Sequence, residues 1–343
     1  MKLGLALPYT DHLPRELLLA FVKEADRLGY DTAWVPEAYG WDAFTVLTEM
    51  ACVTERIQLA TGIVNVFSRS PALLTQSAAS LDAISGGRLK LGLGTSGHQV
   101  VEGFHGVPFR RGIRRLRETV DIVRMGLRRE RLTYEGEIFH LDGGLRLVTH
   151  PVRERVPIYL ATLTPAGMEL AGEIADGWLP IFFSPRDFER VQAPALARGA
   201  ARAGRSLDDL SICVYQHVIV TGDVAAGRDA VRPHLALYVG GMGSVEKNYY
   251  NRLFVDYGFE AEAARVQELY LARRRDEAIA AVTDEMVDLV TIIGPVEACR
   301  RRIRELEQAG AREVGMSLQV PGNDPAEVLA ALQGLAPQEV PAS

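Results

Sequence analysis

Eight times along a chain of 343 residues, a short apolar run gives way to a segment whose apolar residues return at helical spacing. A strand–helix alternation of this kind leaves few options, because each strand must be parallel to its neighbours and covered by the helices between them. The first unit sets the pattern. Residues 3–7 are apolar and closed by Pro8; Leu18, Phe21, Val22, Ala25 and Leu28 follow at helical spacing, and Gly29 sits where a helix stops. Residues 32–35 form the next strand, ended by Pro36, and Asp42 then offers an N-cap for a helix reaching about Val53. Further strands are predicted at 57–66, 88–94, 157–162, 177–181, 210–221 and 313–320. Ser70-Pro71 and Thr164-Pro165 each place a capping side chain before a proline at the first helical position. Helices are predicted at 113–127, 165–174, about 185–203, from Pro295 to 310, and at 325–335. The count predicts a (β/α)8 TIM barrel, a single domain over 1–343, with a hairpin-bearing insertion at about 131–156 and a mostly helical one at about 223–290. A doubly wound open sheet is the alternative.

Composition narrows the partners. With 48% hydrophobic residues the chain can bury a large core, and a net charge of −6 argues against nucleic acid or an anionic membrane surface. Cys52, Cys213 and Cys299 lie far apart, a set that suits a reducing compartment better than a disulfide framework or a zinc site. The opening residues MKLGLALPYTDH are too soon interrupted for a signal peptide, and no apolar run reaches membrane-spanning length. The expectation is a soluble, cytoplasmic enzyme acting on a small molecule, without nucleic acid, membrane or metal.

A barrel carries its chemistry on the loops that follow its strands. One of them, Gly92-Leu-Gly94-Thr-Ser-Gly97, matches the GxGxxG fingerprint of dinucleotide sites. The context differs: it follows the fourth strand, 98–108 reads as loop, and Glu118 and Asp121 fall within a helix instead of ending a strand. The glycines serve either to tighten a turn or to bring backbone N–H groups against a cofactor. No nucleophile elbow, zinc-protease helix, P-loop or strand-end lysine is present, and the seven histidines share no metal-ligand spacing. Chemistry that side chains cannot explain points to a bound cofactor.

Residues 61–97, TGIVNVFSRSPALLTQSAASLDAISGGRLKLGLGTSG, resemble the third-to-fourth-strand segment of the bacterial luciferase-like flavin and deazaflavin oxidoreductases. The resemblance extends through GYDTAWVPEAYGWDAF at 29–44, LATLTPAGMELAGEIADGWLP at 160–180 and much of 256–295. It is nearest to the branch that uses the deazaflavin coenzyme F420 and includes methylenetetrahydromethanopterin reductase. That family folds as a (β/α)8 barrel, in agreement with the strand count.

The resemblance implies roles for particular residues. Gly62-Ile63 falls where the family has a non-proline cis peptide backing the ring of the coenzyme. Thr95, Ser96 and Gly97 match the loop along the ring and its ribityl chain, and Ala161, Thr162, Leu163 and Thr164 match the loop that meets the phosphate, with Ala166 opening the helix behind it. A helix start there suits an anion, although a plain capping threonine has the same appearance. Glu37 stands in place of a family acid near the ring. Ala38 and Gly97 stand where the sugar-phosphate dehydrogenase branch has a histidine and a glutamate, which counts against that activity. His98 is the nearest remaining proton donor, so Glu37 and His98 are the catalytic candidates. Tyr9, Tyr39, Trp41, Phe104, Phe182 and Phe183 could wall a substrate pocket or merely pack loops, and the run RRGIRRLR at 110–117 reads as a solvated helix start. The implied function is hydride transfer between F420 and a small organic substrate, as a reductase. The alternatives are an FMN-dependent two-component monooxygenase and a non-catalytic flavin-binding protein. A homodimer or higher homo-oligomer is the expected assembly.

Overall fold

Strands Lys2–Ala6 (β1), Thr32–Val35 (β2), Gln58–Thr61 (β3), Leu89–Gly94 (β4), Ile158–Ala161 (β5), Gly177–Trp178 (β6), Ser211–Val220 (β7) and Glu313–Gln319 (β8) pair in parallel and close into a ring, β8 returning to β1. The expected (β/α)8 barrel is therefore the observed one. The computed structural model describes residues 1–8, 14–153, 155–243 and 248–337. β3 resumes as Val64–Asn65 beyond a cis peptide joining Gly62 to Ile63.

Local chemistry sets the helix starts. Asp42 accepts the amide of Thr45 ahead of Ala43–Val53, Ser70 accepts that of Leu73 ahead of Pro71–Ile84, and Thr164 accepts that of Gly167 ahead of Pro165–Ile174. Glu118 is buried and accepts the amides of Glu137, Ile138 and Phe139, pinning the hairpin Tyr134–Glu135/His140–Leu141 to the barrel.

Three sequence expectations are corrected. The segment predicted as one helix at 185–203 is two, Phe188–Val191 and Ala193–Arg202, because Pro194 cannot continue a helix and restarts one. Residues 99–104 are not loop but one wide helical turn. The run just past the long insertion, Thr291–Gly294, which was not among the eight predicted strands, is a strand lying against the upper half of β7, a setting its β-branched residues favour. Pro295 caps the next helix from outside it.

The main core lies between the strands and the surrounding helices. The second insertion builds its own apolar cluster, with Val231, Leu235, Phe254, Val266 and Met286 packed against Phe182 and Ile219 of the barrel. Among the described residues no helix is long and apolar enough to cross a membrane, and no group of side chains could hold a metal. Cys52, Cys213 and Cys299 are free thiols.

Candidate active site

The interior of the barrel is closed at its lower end. Lys90 Nζ lies 2.8 Å from Glu313 Oε2 and from Asp31 Oδ2, and 2.6 Å from Thr32 Oγ1. Trp34 donates to the other Glu313 oxygen at 2.8 Å, and Tyr159 meets Trp34 edge to face at 5.3 Å. Burial opposes the Lys90 charge, but Glu313, Tyr159 and Asp31 outweigh it and raise its pKa. The Asp31 carboxyl, despite its own burial, is lowered to about 2, mainly by Lys90.

Above this plug the inward positions shrink and become partly accessible. Gly62, Ile63, Gly94 and Ala161 lie together on the β3–β5 side of the mouth. A Cβ on Gly92 would lie 1.9 Å from the Thr61 carbonyl, so only glycine lets β3 and β4 approach here. The Thr61 hydroxyl bridges the gap, accepting from Gly92 N and donating to Gly92 O, each at 2.8 Å. Ile63 leans on the space left at Gly94, where an added Cβ would come within 3.1 Å of Ile63 Cδ1. The GxGxxG pattern thus serves strand packing around the cis Gly62-Ile63 bulge, which lies where the family resemblance placed it.

The loop after β4 turns at Ser96, whose φ is 58°, and His98 stands exposed before the helical turn Gln99–Phe104. Behind β5, Pro165 has no N–H and Gly167 is taken by Thr164, so Ala166 is the amide at the open end of that helix. The buried hydroxyl of Thr162 has no hydrogen-bond partner.

Glu37 is held on both oxygens. Arg69 reaches it at 2.6 and 2.8 Å, and the Ala43 amide donates to it at 3.0 Å. Arg69 also pairs with Asp42 and lies over the Phe44 ring. Sequence reasoning missed this arginine. It lies 32 residues from Glu37 in sequence, in the loop that follows Asn65.

The structure divides the aromatic candidates. Tyr39 and Phe104 are exposed, Trp41 is marginally so, and Tyr9 lies outside the described residues. Phe183 is buried against Trp178 and Phe188, outside the barrel interior. Phe182, at φ 53°, backs a ring cluster at the β6–β8 side of the mouth. His217 and His234 face each other at 4.4 Å, and Tyr238 and Tyr250 follow at successive spacings of 4.6 and 4.7 Å. None of these four was singled out from sequence, although alternation along β7 places Cys213, Tyr215 and His217 on one face. In the arginine run, Arg115 departs from the solvated reading, lying over Phe67 at 4.8 Å and Phe139 at 4.9 Å. The side chain of Asn65 reaches His105 at 3.3 Å, another pair that spacing did not reveal.

A closed parallel barrel with a plugged floor and an accessible, partly unsatisfied mouth defines an enzyme working at the carboxyl ends of its strands. The chain matches the family model "Luciferase-like monooxygenase" over residues 4–313 and belongs to that family of oxidoreductases. It is 39% identical, over 90% of its length and 93% of the relative's, to a Mycobacterium tuberculosis protein provisionally named a coenzyme F420-dependent oxidoreductase. It is 31% identical to a 5,10-methylenetetrahydromethanopterin reductase of Archaeoglobus fulgidus, over 86% of this chain and 87% of that one. Among solved structures it is similar to the coenzyme F420-dependent tetrahydromethanopterin reductase of Methanopyrus kandleri, with a TM-score of 0.82, 26% identity and coverage of 98% and 97%.

Proposed function

We propose that the protein is an F420-dependent reductase that passes a hydride from the bound, reduced coenzyme to a small organic acceptor. The relatives named above support the cofactor class. The observation that carries the reading is the match between mouth and ligand: small residues at Gly62, Gly94 and Ala161 leave room for a flat ring, and the orphaned Thr162 hydroxyl stands beside the helix start at Ala166, where a phosphate is expected. When bound, the coenzyme supplies the two-electron hydride chemistry.

The chain's own residues then have five tasks. Ile63 and Gly62 back the ring; Thr95, Ser96 and Gly97 run along it; 161–164 and Ala166 hold the phosphate. Glu37, locked to Arg69, fixes the 36–42 loop beside the ring and acts as a positioning residue. His98, exposed on the loop after β4, supplies the proton that must accompany the hydride. In this reading the protein works as a cytoplasmic homo-oligomer of single-domain subunits.

A fluorescence titration with F420 and FMN side by side tests the proposal. Deazaflavin binds at least tenfold tighter, about 1.4 kcal/mol, in the expected result. Tighter FMN binding with oxygen consumption would instead make the protein a monooxygenase, and binding without turnover on any acceptor would make it a carrier.

A further inference from the structure

Between the charged floor and the mouth lies the indole of Trp34, carried by β2 and without exposed surface. Three glycines surround it. A Cβ on Gly62, just past β3, would lie 3.4 Å from Trp34 Cβ and 3.5 Å from Cε3. One on Gly4 of β1 would lie 3.2 Å from Nε1, and one on Gly315 of β8 would lie 3.3 Å from Cδ1. The pyrrole edge therefore lies toward β1 and β8 and the Cε3 edge toward the end of β3, so the ring spans the barrel interior.

The indole is held from below. Its N–H donates to Glu313 at 2.8 Å, Lys90 Nζ stands 5.8 Å from its centroid, and Tyr159 meets it edge to face. On the mouth side Ile63 and Ala161, both partly exposed, pack against the cluster to which Trp34 belongs. A close-packed, dry contact of this kind passes a displacement on, because no void or water takes it up. Trp34 is thus the layer on which Gly62 and Ile63 rest, and these two residues back the coenzyme ring in the reading above.

We propose that Trp34 is a positioning residue for the coenzyme: from beneath, through Gly62 and Ile63, it sets the depth at which the deazaflavin ring sits in the mouth. Having no exposed surface, it acts without touching the ring. Depth matters because one molecule must lay its ring along Thr95–Gly97 and bring its phosphate to the Ala166 amide. A coenzyme gripped at both ends cannot follow a shifted backing without loosening one of them. The assignment rests on the coenzyme reading; the packing around Trp34 does not.

The sharpest probe is Gly315→Ala. Its methyl presses on Trp34 Cδ1 from β8, the strand opposite β4 in the ring, and reaches the coenzyme side through the indole. Trp34→Phe removes the N–H that Glu313 accepts and leaves space under Gly62. Leu196, fully buried on the outer helix Ala193–Arg202, provides the stability control. Oxidised deazaflavin is titrated into each full-length protein at pH 7.5, its fluorescence reading affinity and its absorption band reading the surroundings of the bound ring. In the expected result Gly315→Ala displaces the band and weakens binding about threefold, and Trp34→Phe weakens it roughly tenfold. Leu196→Ala lowers the melting temperature comparably to Trp34→Phe but keeps the band and affinity of the unaltered protein.

If either folded variant, Gly315→Ala or Trp34→Phe, keeps the unaltered band and affinity, the proposal is overturned. It is equally overturned if Leu196→Ala shifts the band as they do, since any loss of stability would then suffice. Should Trp34→Phe fail to fold, Gly315→Ala decides alone. An unaltered protein that binds no deazaflavin sinks the coenzyme reading and this proposal with it; binding with inert variants removes Trp34 alone.

Discussion

The floor and the mouth of the barrel bury polar groups by opposite rules. At the floor, Lys90, Glu313 and Asp31 keep their charges and every one is matched within 2.8 Å. At the mouth, imidazoles are held neutral, the Thr162 hydroxyl is left without a partner, and Ser96 and Phe182 adopt left-handed backbone angles of 58° and 53°. Matched charges hold a shape, and groups left unmatched are available to something that is not yet there. The difference separates residues that keep the barrel closed from residues that await ligands.

Removing one member of each set is the most direct way to break that comparison. Lys90→Met leaves Glu313 buried without its cation and Asp31 with Lys2 alone, and should cost about 3–5 kcal/mol of stability by urea denaturation, with deazaflavin affinity nearly unchanged. A mild loss would mean the floor is not held by charge. His98→Ala is the converse: turnover on a confirmed acceptor falls roughly 10²-fold, with melting temperature and coenzyme affinity unaffected. Full turnover would return His98 to an ordinary loop residue.

Acid separates the two ends by window. The histidines at the mouth have folded pKa values depressed below 6.5, to about 4 and about 3, so the unfolded chain takes up protons first and stability falls as pH drops from about 6.5 toward 4. Asp31 at the floor is lowered from 3.8 to about 2, so its contribution is present above about pH 4 and is lost between there and 2. The lower window carries on the order of 2 kcal/mol, and the upper one, with two groups and larger shifts, carries more. His217→Gln should flatten the upper window only; a stability curve unchanged between pH 6.5 and 4 would remove the neutral imidazole from the account.

Glu37→Gln gives the smallest expected effect. Arg69 keeps Asp42 but loses one of its two charged partners, so coenzyme binding should weaken by about tenfold before any change in melting temperature. A stability loss without weaker binding would move Glu37 to the structural side of the comparison.

The barrel was legible because its strands are closed by breakers and its helices by caps: Pro8, Gly29, Pro36, Asp42, Ser70 and Thr164 all stand where an element begins or stops. These are local signals, and local chemistry decides them. The 291–294 strand was not legible, because its place depends on pairing with β7 about 70 residues earlier. The glycine side of the mouth was found through family resemblance, with the Gly62-Ile63 bulge at its centre. Arg69, His217, His234 and Tyr250 were missed because each takes its meaning from a partner distant in sequence. Only β7 carried a usable clue, in the alternation that puts Tyr215 and His217 on one face.

The strand Thr291–Gly294 gives β7 a second hydrogen-bonded neighbour at the level of the mouth. His217, Val218 and Ile219 are paired with Ser317, Leu318 and Gln319 on one side and with Thr291, Ile292 and Ile293 on the other. Backbone bonded on both edges cannot fray or slip register, so His217 is as fixed as the barrel itself. His234, Tyr238 and Tyr250 come instead from the insertion, a segment that can lengthen, shorten or change its rings without disturbing the closed sheet. One wall of the mouth is thus an heirloom of the fold and the other an exchangeable part, and descendants of this chain could acquire new acceptors by rewriting the second while inheriting the first.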